Sequence, residues 1–310
     1  MVTAAPRRTA LPPDYVLPQA RRTLVVPSSD GTALAVQVHG PDDAPTVVLA
    51  HGWTCAAAFW ARVVHRLGDR VRVVLYDQRG HGASAPAGPA GHTTRAIADD
   101  LAAVLAATVP AGERAVVAGH SMGAMALVSL AAERPDVLAH KVSAALLAST
   151  GVGRLVHEAR VVVAPRRLTK VAQAATRRGM SDGRLLTMLP RWGRRAAVSH
   201  ITLSRGAARA DRAFCTDVVT ACPGAARAGF AAMLATLDLN PALARLDVPA
   251  LVLVGTADRL TPPSHSRRLA AALPQPLGLV ELPGLGHMTP VQAPDAVTEA
   301  VLRLVRDHTG

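Results

Sequence analysis

The chain has 310 residues, half of them hydrophobic but only eight aromatic, and a formal net charge of +12. Such a length can bury about three quarters of its unfolded surface, which suits one large α/β domain with an insertion, or two domains. No apolar run approaches the ~18 residues of a membrane span, and three cysteines at no framework spacing (Cys55, Cys215, Cys222) argue against a disulfide scaffold or a Cys/His metal cluster.

Residues 1–20 carry an arginine pair, several prolines and no apolar stretch behind them. They read as a loose arm rather than a secretory signal, so a cytoplasmic protein is expected. Two β-rich segments follow at 22–26 and 34–38, joined by the turn Ser28-Ser29-Asp30-Gly31. Short apolar runs of the kind shown by buried parallel strands then occur at 46–50, 71–76, 115–118, 142–148, 250–254 and 278–282. Helical patterns lie between most of them, at 57–67, 94–108, 124–134 and 264–273. A last one covers 294–307, where Pro294 suits a first helical turn. This alternation predicts an α/β fold built on a doubly wound, mostly parallel sheet.

The alternation breaks between residues 151 and 240. That stretch offers amphipathic pieces at 166–178, 184–189 and 225–237, punctuated by Pro165, Gly179, Gly183, Pro190 and Pro223. The predicted layout is a core in two parts, 1–150 and 241–310, interrupted by a helical cap at 151–240. Ligands bind outside the C-terminal strand ends of an open α/β sheet, so an insertion there would cover the site. The cap also holds most of the charge. Its 14 Arg and one Lys stand against five acids, a net +10, whereas the other 220 residues carry only +2. An anionic or carrier-linked acyl substrate is one reading of that bias; a solvated arginine-rich face is the other. With only Trp192, Phe214 and Phe230 interleaved, the segment does not read as a nucleic-acid surface.

The chemistry centres on Gly119-His120-Ser121-Met122-Gly123, set between the run at 115–118 and the helical pattern at 124–134. Strand, sharp turn and helix are the context of a G-x-S-x-G nucleophile elbow. Gly119 and Gly123 keep bulk away from the tight turn around Ser121. A serine hydroxyl needs a base, and the base needs an orienting acid. His287, in the loop after the last predicted strand, is the expected base. Asp258, just after the strand at 250–254, is the expected acid. His120 adjoins Ser121 but is expected to point away from it, and Asp77 is expected to brace its own loop's backbone or Arg79. His65, His92, His140, His157, His200, His265 and His308 read as surface or packing residues. The oxyanion donors are expected to be the backbone N–H groups of Met122 and of Trp53. The latter sits in the loop His51-Gly52-Trp53-Thr54, where His51 and Gly52 shape the turn. No metal and no cofactor is implied.

With HGW at 51–53, DQRGHG at 77–82, GHSMG at 119–123, GTAD at 255–258 and GLGH at 284–287, the chain resembles the α/β-hydrolase-fold serine hydrolases. Their Ser, Asp, His order is the order here, and the resemblance covers about 22–150 and 241–308. It implies acyl hydrolysis through Ser121, His287 and Asp258. The epoxide hydrolases and haloalkane dehalogenases of this superfamily carry an aspartate where Ser121 stands. Epoxide hydrolases also need cap tyrosines, and the only tyrosines here are Tyr15 and Tyr76. The motifs leave several reactions open on one triad: ester hydrolysis, thioester hydrolysis or acyl transfer from a carrier, and C–C hydrolysis or perhydrolysis. A non-catalytic ligand-binding protein on the same fold is the reading from another class.

Overall fold

The structure is a computed structural model, described here for residues 11–88, 90–161 and 188–309. Eight strands form one sheet: β1 (Arg22–Pro27), β2 (Ala33–His39), β3 (Thr46–Ala50), β4 (Arg72–Tyr76), β5 (Ala115–His120), β6 (Val142–Ala148), β7 (Ala250–Gly255) and β8 (Pro276–Leu282). Their spatial order is β1-β2-β4-β3-β5-β6-β7-β8. β2 pairs antiparallel with both β1 and β4, and every later pairing is parallel.

The sequence pattern explains why the sheet is covered on both faces. Successive strand residues point to opposite sides. Val48, Ala50, Val74, Tyr76 and Val117 feed one core, and Val47, Leu49, Val73, Leu75 and Val116 feed the other. The first face packs against α2 (Thr94–Thr108) and α3 (Met122–Glu133), which leads into α4 (Pro135–Lys141). The second packs against α1 (Ala61–Leu67) and the C-terminal helix over Pro294–His308. Continuous apolar runs therefore suit these strands better than an alternating pattern would.

Between β6 and β7 the chain leaves the sheet. Leu155–Glu158 forms one helical turn (α5), and α6 (Arg191–Thr202), α7 (Arg209–Ala221) and α8 (Gly224–Thr236) follow. A short turn at Asn240–Leu243 (α9) leads back to β7. The neck is pinched shut by a bridge between Gly153 and Asp238 and by Leu239 N–H donating to the Val152 carbonyl at 2.6 Å. α8 matches the expected helix at 225–237. The pattern at 166–178 and most of that at 184–189 lie outside the described residues.

One expectation is corrected. The second half of the N-terminal arm is anchored rather than loose. Tyr15 is buried, edge-on to Phe214 of α7, and its hydroxyl donates to Asp211 at 2.5 Å. Arg62 lies over the Tyr15 ring and pairs with Asp14 at 2.9 Å. Reading the prolines as breakers missed that Asp14 and Tyr15 between them carry a charge and a ring to bury. Among the described residues no single helix is long and apolar enough to cross a membrane.

Candidate active site

Ser121 sits between β5 and α3 with φ +51° and ψ −115°, a backbone region that costs a non-glycine residue about 1–3 kcal/mol. The strain is held from several sides. Ser121 N–H donates to the Ala148 carbonyl on β6 at 2.9 Å, and the Ser121 carbonyl accepts from Ala124 N–H at 3.0 Å and Thr150 Oγ1 at 3.0 Å. The flanking glycines are steric necessities. A Cβ on Gly119 would lie 2.4 Å from Ala124 N, and one on Gly123 would lie 2.2 Å from the Ala50 carbonyl oxygen. Met122 opens α3, so its N–H belongs to the helix's first turn, where no intrahelical acceptor exists and the dipole is positive.

His287 and Asp258 come together at the far ends of β8 and β7. His287 Nδ1 and Asp258 Oδ2 are 2.8 Å apart, and both side chains are buried. The carboxylate is fixed by three further donors: Leu260 N–H and Thr261 N–H to Oδ1, and Thr261 Oγ1 to Oδ2, each at 2.9 Å. With Nδ1–H directed at the carboxylate, Nε2 is the free ring nitrogen. His120 lies beneath. Its ring is 4.9 Å from that of His287, and its Nε2 is 3.0 Å from the His287 carbonyl. The residue beside the elbow serine thus supports the histidine loop from below, a contact that sequence position did not reveal. His120 brings Ser121 and His287 into one neighbourhood, although among the described residues no hydrogen bond joins Ser121 Oγ to His287.

The loop after β3 closes the third side. A Cβ on Gly52 would lie 3.1 Å from Ser121 Cβ and 2.7 Å from His120 Nδ1, so only bare backbone can pass there. His51 is completely buried; its Nδ1 is 2.8 Å from the Gly52 carbonyl and its Nε2 accepts from Gln78 N–H at 3.0 Å. His81 does the same one step on, with Nε2 accepting from Thr54 N–H at 3.2 Å and Nδ1 3.0 Å from the Arg79 carbonyl. Burial pushes His51 down to about 4, and burial with the nearby His51 pushes His81 down to about 3, so both rings are neutral braces. Burial, with His287 beside it, also holds His120 well below the ordinary histidine range. Asp77 accepts from Ala57 N–H at 2.7 Å and Ala83 N–H at 2.9 Å, the backbone role expected of it. Arg79 turns instead to Asp100 at 2.6 Å and Asp30 at 2.7 Å. The bracing by Gln78 and His81 was missed from sequence, although both lie in DQRGHG.

The inserted segment reaches into the same site. The Thr202 carbonyl, at the end of α6, accepts from His287 N–H at 2.8 Å and Met288 N–H at 3.2 Å. Gln292 Oε1 accepts from Gly286 N–H at 3.0 Å, and its Nε2 donates to Ser204 Oγ at 2.8 Å. On the other side, Trp53 Nε1 donates to the Arg227 carbonyl of α8 at 3.2 Å. All three cysteines are free thiols. Among the described residues no group of His, Cys, Asp or Glu side chains is arranged to hold a metal ion.

Comparison with known proteins agrees with this architecture. A putative carbamate hydrolase, RutD, from Caulobacter sp. (strain K31) is 31% identical over 289 residues, spanning 87% of this chain and 94% of that protein. The bifunctional esterase/perhydrolase DCH of Acinetobacter calcoaceticus is 27% identical, over 91% of this chain and 99% of its own. The solved enol-lactonase from Burkholderia xenovorans LB400 superposes with a TM-score of 0.70 at 25% identity, covering 92% of this chain and 100% of that one. The sequence profile of the alpha/beta hydrolase family matches residues 47–300, and the chain belongs to that family.

Proposed function

We propose that this protein is a serine hydrolase that cleaves an ester or related acyl bond through a covalent acyl-enzyme on Ser121. The observation that carries the reading is the His287–Asp258 pair at 2.8 Å, mounted on the loop that packs against the strained Ser121 elbow. Asp258 holds His287 with Nδ1 protonated, which leaves Nε2 to take the proton from Ser121 Oγ as that oxygen attacks the carbonyl carbon. Catalytic hydrogen bonds are often absent before substrate binds, and the Ser121–His287 contact forms as the substrate seats. The oxyanion of the tetrahedral intermediate accepts from the Met122 and Trp53 N–H groups. Collapse breaks the bond to the leaving group, which departs with the proton from His287 Nε2. Water then repeats the sequence, giving its proton to His287 and releasing the acid and free Ser121. Every step uses side chains and backbone of this chain alone, and none requires a cofactor.

In this reading the inserted segment acts as a cap, contributing both a wall of the acyl site and support for His287. The relatives named above act on a carbamate, an ester and an enol-lactone by their names. These share a carbonyl carbon bearing a leaving heteroatom, which supports an acyl class rather than one substrate. A fluorophosphonate probe should label Ser121, as read by mass spectrometry, and Ser121→Ala should lower kcat on p-nitrophenyl acetate by about 10⁴-fold or more. Native protein that neither labels nor turns over short esters would refute the proposal.

A further inference from the structure

The donors on the Asp258 carboxylate differ in what they require of the sequence. Oδ1 accepts from Leu260 N–H and Thr261 N–H, each at 2.9 Å. Oδ2 accepts from the Thr261 hydroxyl at 2.9 Å and faces His287 Nδ1 at 2.8 Å. Together they match the roughly four lone-pair sites of an ionised carboxylate. The two donors on Oδ1 are backbone groups that any residue but proline supplies. On Oδ2, beside the imidazole, the donor depends on a side chain, the hydroxyl of Thr261. Asp258, Thr261 and His287 are all buried, so bulk water does not stand in for a missing donor.

The Thr261 hydroxyl also lies 3.3 Å from His287 Nδ1, so it meets both partners of the pair. Of the two atoms it faces, only Oδ2 can take its proton, because Nδ1 is itself protonated in the tautomer that leaves Nε2 free. The Thr261 oxygen then turns a lone pair toward Nδ1–H. Were Oδ2 to turn away, the proton would no longer be held on Nδ1, and the tautomer protonated at Nε2 cannot act as the base. The local sequence stiffens this arrangement. Pro262 confines Thr261 before it to extended backbone, and Pro263 opens the helix over Pro263–Ala272. The threonine side chain is β-branched, which restricts its χ1 as well.

We propose that Thr261 is a positioning residue of the acyl site: its hydroxyl fixes Asp258 Oδ2 on His287 Nδ1 and so keeps Nε2 free for the Ser121 proton. The proposal rests on the serine-hydrolase reading above and adds a residue to it. Thr261 acts through Asp258 and His287 and carries no proton between them.

The test is a pair of variants assayed on p-nitrophenyl acetate. Thr261→Val keeps the shape and removes the hydroxyl, while Thr261→Ser keeps the hydroxyl and removes the methyl. The valine variant should lose about 10–10²-fold in kcat and as much in kcat/KM, the scale of one hydrogen bond to a charged group, with KM nearly unchanged. The serine variant should stay within about threefold of wild type in both. A lower urea midpoint in Thr261→Val with kcat spared would assign the residue to the turn alone and overturn the proposal. A serine variant as slow as the valine one would do the same. Should Thr261→Val fail to fold, proton NMR of resting wild type decides. The far-downfield His287 Nδ1–H resonance should show a cross-peak to the Thr261 hydroxyl proton, since both protons point at Oδ2; absence of the resonance or of the cross-peak would refute the placement. Fluorophosphonate labelling and ester turnover by wild type read the hydrolase separately, so a wild type that labels and turns over, matched by Thr261→Val, fails the Thr261 proposal alone.

Discussion

Substituting Gly123→Ala replaces one hydrogen with a methyl group, yet the structure predicts a large kinetic defect. The new Cβ would lie 2.2 Å from the Ala50 carbonyl oxygen, 2.5 Å from the Ala50 carbonyl carbon and 2.8 Å from the His51 carbonyl oxygen. All three are backbone atoms, so no side chain can swing aside. Ordinary contact begins near 3.4 Å, and relief requires the start of α3 and the end of β3 to separate by about 1 Å. Those are the two segments that would carry the oxyanion donors, Met122 N–H and Trp53 N–H. Overpacking of this size costs about 1–3 kcal/mol of stability. A misplacement of about 1 Å costs on the order of 10² in rate, and losing one oxyanion donor costs about 10²–10³. The variant should therefore fold, with a lower urea midpoint, and lose roughly 10²–10³-fold in kcat on p-nitrophenyl acetate. Its KM should change far less, because the donors act chiefly on the transition state. Folded Gly123→Ala protein with kcat within threefold of wild type would show that the two segments do not jointly form the oxyanion site.

Two further outcomes follow from the same surroundings. Gln292→Leu removes the acceptor of Gly286 N–H and the link to Ser204, so kcat should fall tenfold or more while Gln292→Glu, which keeps the acceptor, retains more of it; a loss of Tm with no change in kcat would assign Gln292 to stability alone. His51 and His81 are folded-state bases depressed from 6.5 to about 4 and about 3, so the unfolded chain binds more protons at intermediate pH. Stability is full above pH 6.5 and is lost as pH falls toward the folded values, by about 2 kcal/mol per histidine at pH 5. A urea midpoint that is the same at pH 7.5 and pH 5 would contradict that account.

Legibility in the sequence followed the kind of physics involved. The core strands were readable because burial on both faces forces runs such as Val47-Val48-Leu49, and those runs need no partner to be recognised. The elbow was readable because Gly119 and Gly123 answer clashes with atoms within five residues or in the adjoining strand. Asp258 and His287 could be placed at strand ends, and the structure joins them across 29 residues of chain. What escaped were contacts decided by tertiary approach. The Thr202 carbonyl reaching His287 N–H, and Tyr15 reaching Asp211 across 196 residues, have no local pattern. His120 was dismissed on side-chain direction, and the direction was informative in another way: facing away from the serine's front is what lets it meet the His287 carbonyl. Arginine counting located charge in the cap but could not tell the solvated arginines from Arg227, because burial is a property of the packed segment.

The insertion is better understood as part of the site's frame than as a lid laid over it. A lid that only covers a pocket would touch its rim and leave the reacting loops to the core. Here the Thr202 carbonyl at the end of α6 accepts from the N–H groups of His287 and Met288, so the insertion holds two backbone groups of the histidine loop. Gly286 has no room for a side chain because a Cβ there would lie 2.6 Å from Leu203 C and 2.7 Å from Ser204 N. The segment at 202–204 therefore runs in direct contact with the loop that carries His287. On the opposite side, α8 fixes the Trp53 ring and packs Ala226 so closely on Gly80 that a Cβ on that glycine would lie 2.9 Å away. One insertion thus touches both the expected base and the expected oxyanion loop, through elements separated by α7. Motion of the whole segment would move both at once, which couples substrate entry to catalytic alignment. It follows that exchanging residues 151–240 for another family member's insertion should change kcat together with KM. A swap that altered KM alone, with kcat retained, would return the segment to the role of a passive cover.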